Sequence, residues 1–179
     1  MKTPYYVFVF FVLLILNPIN AQESVFVSDF IERLENSQKY VEQVAELMPA
    51  EKYQFRASEE SLSFAQNLMH IGFALNWHSK TLLGEIKTPT WQEDTVYKTK
   101  GKSKKEMIAI VNATFKEAIS VLKQLDSNEL ENRLDYFGLD RSKRQICLLL
   151  ADHITHHRAQ MIVYLRLNGI TPPRYVLYQ

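Results

Sequence analysis

Three of the chain's five histidines fall within the ten residues ADHITHHRAQ, positions 151 to 160. His153 and His157 stand four apart, which on a helix sets their Cβ atoms about 5–6 Å from each other on one face, close enough for both rings to reach one ion. Side by side in an apolar interior, two imidazoles are costly to charge and each needs a hydrogen-bond partner when neutral. A divalent cation removes the difficulty by taking neutral rings as donors. The pair alone is weak evidence, because histidines at this spacing are commonly just packed or solvated. A third ligand would strengthen it. The candidate is His70 in QNLMHIGFALNWHS, a stretch apolar nearly all round and therefore expected to be buried.

The neighbouring polar residues divide by angle and distance. His156 is about 100° round the helix from His157, which places it at the edge of a bundle or behind the ligands. Asp152 is turned by the same angle from His153, so no carboxylate falls clearly on the ligand stripe. His78 lies eight residues beyond His70, about 12 Å along a helix, too far to share an ion and expected at a surface or pocket rim. Asn67 and Gln160 are candidate hydrogen-bonding partners of the ligands, and Trp77 and Tyr164 candidate pocket walls. Arg158 and Arg166 read as solvated charges.

Positioning these residues falls to long helices, since only five glycines and six prolines punctuate the chain and the stretches between them carry three-to-four periodicity. The pattern predicts a helix over 28–47, a second from Ser58 to Leu83, and a third from a capping box at Ser103 and Glu106 to about Leu125. The segment DSNELENRLDYFG reads as a short helix or irregular connection closed by Gly138. A last helix spans 142–168, with Gly169, Pro172 and Pro173 beyond it. On that helix Ile146, Leu150, His153, His157, Gln160 or Met161, and Tyr164 form one inward stripe. No strand pattern is evident. The fold class is therefore all-α, a four-helix bundle. The lysine-rich KTKGKSKK reads as a solvated connection.

The N-terminus reads as a cleavable signal peptide of residues 1–21, with Lys2, a ten-residue apolar run from Val7 to Leu16, and Ala21 before the cut. That run is about half the roughly 20 residues needed to cross a bilayer, so no stable membrane anchor is expected. Export to the periplasm or the cell exterior follows, with residues 22–179 forming one domain. Lys2 is the only charge in the leader, and the remainder holds 20 basic and 20 acidic residues. A neutral balance gives no electrostatic grip on nucleic acid. Cys147 is the sole cysteine, so no internal disulfide supports the fold, and it reads as a buried small hydrophobe.

The C-terminal LLLADHITHHRAQMIVYLRLNGITPPRY, the middle block RASEESLSFAQNLMHIGFALNWHS and the order of four long helices resemble the DinB-like (DinB/YfiT) family of metal-dependent enzymes over essentially the whole mature chain. The HxxxHR-x-Q helix followed by YLR-x-x-G-x-x-PP is the specific part; Ala159 stands where relatives commonly have glycine. The resemblance implies a four-helix bundle in which His70, His153 and His157 hold a divalent metal, zinc or nickel before manganese. Relatives include enzymes that use low-molecular-weight thiols. The expected activity is thus metal-dependent hydrolysis or thiol transfer on a small molecule. The alternative is a bundle, monomeric or a homodimer, that binds a metal or small ligand without turnover.

Overall fold

The computed structural model describes residues 18–175, with side chains from residue 25. Among these residues there are four long helices: α1 (Pro18–Leu47), α2 (Phe64–Asn76), α3 (Lys104–Leu122) and α4 (Lys143–Leu167). Helix α2 continues directly into a π-helical turn, Trp77–Leu83. A two-stranded antiparallel hairpin, β1 (Arg133–Tyr136) and β2 (Leu139–Ser142), leads into α4. Helices α1 and α2 each pack on both α3 and α4, which closes a four-helix ring around one apolar core. None of the described helices is long and apolar enough to cross a membrane. The expected leader lies mostly outside the described residues.

Three helix starts are set by the same device. Ser63 with Gln66, Ser103 with Glu106 and Ser142 with Gln145 each form a complete capping box, satisfying backbone donors that a helix N-terminus leaves free. This corrects the expected start of the second helix, because the Ser58 hydroxyl meets the Ser61 hydroxyl and its carbonyl closes only a turn with Ser61 N–H. The first helix begins at Pro18, ten residues before the sequence pattern becomes amphipathic, and the third stops at Leu122. Helix α4 ends in a Schellman arrangement: Gly169 N–H bonds Arg166, Ile170 N–H bonds Leu165, and Gly169 takes a positive φ of 74°.

The hairpin corrects the expectation of an all-helical chain. Its turn places both central residues at positive φ, Phe137 at 54° and Gly138 at 80°, the combination that matches the twist of antiparallel strands. The strands are four residues long and mostly exposed, with charges on both faces. The only alternation is Leu134 and Tyr136 of β1, two half-buried positions in a four-residue run, too short for a sequence reading to tell from a loop.

The π-helical turn has a side-chain cause. His78 Nδ1 and Ser79 Oγ donate to the carbonyls of Ala74 and Leu75, at 2.7 and 2.6 Å. These groups compete with the backbone for acceptors one turn back. Gly84 N–H then reaches Ser79 O, five residues away, at 2.8 Å.

Candidate metal centre

Helices α2 and α4 run antiparallel, since Asn67 of α2 meets His157 of α4 whereas His70, further along α2, and His78, in the π-helical turn that continues it, meet His153, one turn earlier on α4. This arrangement brings His70, His153 and His157 together. One ring nitrogen from each lies within 4.8 Å of the other two. The ring centroids are 4.6 Å apart for His70 and His157, 4.6 Å for His153 and His157, and 5.0 Å for His70 and His153. No carboxylate or thiol among the described residues joins the group.

The state of His157 follows from its neighbour. Asn67 is fully buried, and its amide nitrogen donates to the carbonyls of Leu62 and Ser63 at 3.2 and 3.0 Å. Two carbonyls can only accept, so the amide oxygen faces His157 and accepts from Nδ1 at 2.8 Å. His157 is therefore protonated on Nδ1, which leaves Nε2 as a bare lone pair. Fixing the tautomer through the far nitrogen is how proteins present an imidazole to a metal.

The second diagnostic is His153, whose Nε2 is buried without a hydrogen-bond partner. A buried polar atom left alone costs about 1–3 kcal/mol. An ion at the centre would give a lone pair there the partner it lacks, so the residues present fit a divalent metal. Burial also keeps the rings neutral. It holds His70 down at about 4 and His157 at about 3, and lowers His153, with the neighbouring imidazoles adding to the effect. Neutral rings at physiological pH are the form that binds metal.

Around the trio, the loop after α2 supplies a wall. Trp91 stands edge-on to His70 with centroids 5.1 Å apart. Lys98 lies 3.6 Å from the Trp91 ring centroid and donates to Trp91 O at 2.6 Å. Lys102 likewise donates to the carbonyls of Lys98 and Thr95, so part of the basic run is occupied in holding the loop. The loop reaches this position because Gly72 has no Cβ: one built there would meet the Tyr97 ring at 2.8 Å. A cleft of about 620 Å³ opens beside His157, bordered by Leu62, His156, Gln160 and Tyr164.

Two residues are placed differently from expectation. His78 is 3% exposed rather than at a rim. Its Nδ1–H donates to Ala74 O, so Nε2 accepts from the Tyr136 hydroxyl at 3.1 Å, and its ring centroid is 6.1 Å from that of His153. It stands outside the three-histidine group. Arg158 is buried against the rings of Tyr40 and Tyr175, 5.0 and 6.0 Å from their centroids, rather than solvated. His156 is exposed and its Nε2 accepts from Gln160. Trp77 packs on Tyr136 and Phe137 of the hairpin. Neither Tyr136 nor Trp91 carried a spacing signal, because loop and hairpin deliver them to α2 from far along the chain.

The model of the DinB family matches residues 22–178. Among solved structures, a DinB-like protein from Bacillus cereus ATCC 10987 is 19% identical, with a TM-score of 0.66 over 84% of this chain and 95% of its own. A second, the DinB-like protein YjoA of Bacillus subtilis, is 20% identical, with a TM-score of 0.64 over 84% of this chain and 97% of its own. At these identities the likeness speaks to the fold. No curated protein matches.

Proposed function

The chain belongs to the DinB family, and on that premise we propose that it is an exported metal-dependent enzyme whose divalent ion is held by His70, His153 and His157. The observation that carries this reading is the convergence of three neutral imidazoles from two helices around the partnerless Nε2 of His153. Three nitrogen ligands and no fourth protein group among the described residues describe a catalytic rather than a structural centre, because coordination positions stay open for water or substrate. Bound there, zinc or nickel, with manganese as a third option, would lower the pKa of a coordinated water or thiol.

The chain's own residues prepare the site around that chemistry. Asn67 fixes the His157 tautomer, Trp91 shields His70, and the cleft beside His157 is large enough to admit a small molecule. Hydrolysis or thiol transfer on such a molecule is the proposed reaction class. Export places the protein away from cytosolic thiols and favours water as the nucleophile.

The test is elemental analysis of untagged protein beside His70→Ala and His153→Ala. About one transition metal per chain, lost in both variants while circular dichroism stays helical, supports the centre. A wild type that takes up none of zinc, nickel or manganese refutes it. Metal without activity across hydrolase and thiol-transfer substrates would favour a binding module. N-terminal sequencing of the exported protein tests the leader, with Gln22 the expected first residue.

A further inference from the structure

On the metal-centre reading, no negatively charged ligand among the described residues meets the charge of the ion. The three ligands are neutral imidazoles, and no carboxylate or thiol among the described residues joins them. The group that orients His157 is the amide of Asn67, where a carboxylate would have cancelled part of the charge. That choice is built in: both donors of the Asn67 amide are spent on the Leu62 and Ser63 carbonyls, in a fully buried position. Lys98, close to the site, is positive. Its Nζ sits on the Trp91 ring that stands against His70, and its bond to Trp91 O keeps it there. Asp152 is exposed on α4 and Glu60 is exposed at the border of the cleft, and neither belongs to the three-histidine group.

A doubly charged ion among neutral ligands, with a lysine nearby, is an electrostatic demand for an anion, and it is strong because partial burial weakens the screening by water. We infer that the substrate of this centre carries an oxyanion, a carboxylate or phosphate, which supplies the negative charge that the protein withholds, with Lys98 as a determinant of that preference. The cleft beside His157 provides the room for the rest of a small molecule.

Cobalt(II) loaded into the full-length protein provides a test independent of activity, since its visible absorption changes when an exogenous ligand enters the coordination sphere. Acetate, inorganic phosphate and acetamide, the neutral isostere of acetate, are the probes. Acetate or phosphate should perturb the spectrum saturably and acetamide should not; the stronger of the two anions identifies the oxyanion class. Lys98→Gln should take up the same cobalt and bind the anion several-fold more weakly. Asn67→Asp should keep the cobalt and weaken the anion about tenfold or more, as one unit charge a few ångströms away implies.

Failure of the wild type to take up cobalt would sink the metal centre itself. Uptake with acetate and acetamide indistinguishable, or with both variants matching the wild type, would overturn the anion preference and leave the metal centre standing. If Asn67→Asp does not fold, Lys98→Gln decides alone, because its side chain is only half-buried and glutamine keeps a donor for Trp91 O.

Discussion

Zinc binding at pH 6 should expel almost no protons from His70 and His157. With the ordinary histidine value of 6.5, His70 and His157 would each be about three-quarters protonated at pH 6, and binding would displace about 1.5 protons from the two. Burial first, and neighbouring imidazoles second, hold His70 at about 4 and His157 at about 3. His70 is then about one per cent charged at pH 6, and His157 less. Calorimetric titration with zinc in two buffers of different ionisation enthalpy counts the protons directly. A coordinated water of pKa near 7 adds about 0.1, and His153, which burial also lowers, adds less than the roughly 0.8 of an ordinary ring, so the expected count is below about 1. A count of 1.5 or more would refute the burial argument and with it the pre-formed neutral site. The same shifts set the acid response of the metal-free fold. The unfolded chain takes up protons as the pH drops below 6.5 while the folded rings resist, so this stability is fully present above about 6.5 and is lost as the pH falls towards 4 and 3. The urea midpoint should decline across that window.

Three further outcomes are expected. Tyr136→Phe leaves Nε2 of buried His78 without its donor, which should cost about 1–3 kcal/mol, or very roughly 2–4 °C of Tm per kcal/mol for a chain of this size; an unchanged Tm would show that the hairpin bond is idle. Gly72→Ala drives a methyl against the Tyr97 ring, and about 1–3 kcal/mol of overpacking should outweigh the roughly 1 kcal/mol gained in helix propensity; a more stable variant would contradict the close approach. Cys147 is buried, with its thiol pushed up to about 12, so a thiol reagent such as Ellman's should label it only after denaturation; rapid labelling of the native protein would overturn that placement.

The last helix was readable almost in full, from the Ser142 cap to Gly169, because its start, stripe and stop all depend on residues within one turn of each other. The Ser103 and Glu106 box was readable for the same reason. Ser58 misled because two serine starts compete within six residues, and only Ser63 has a glutamine three positions on that closes the reciprocal bond. The hairpin escaped because its one alternation, Leu134 and Tyr136, spans only four residues, and Phe137 adopts a positive φ that its residue type does not advertise.

The pairing of His153 with His157 is a property of helix geometry, and the sequence alone determines it. His70 could be named as a candidate from its nearly all-apolar stretch and was strengthened by the family resemblance, but the meeting of the three rings needed the antiparallel packing of α2 on α4. Their surroundings were decided only by tertiary structure. Asn67 reaches His157 across 90 residues, Trp91 is laid on His70 by a loop that Gly72 admits, and His78 is drawn inward by its bonds to Ala74 and Tyr136. Helical periodicity states which face a residue occupies; what that face meets is set by the burial of the whole core, which no local spacing encodes.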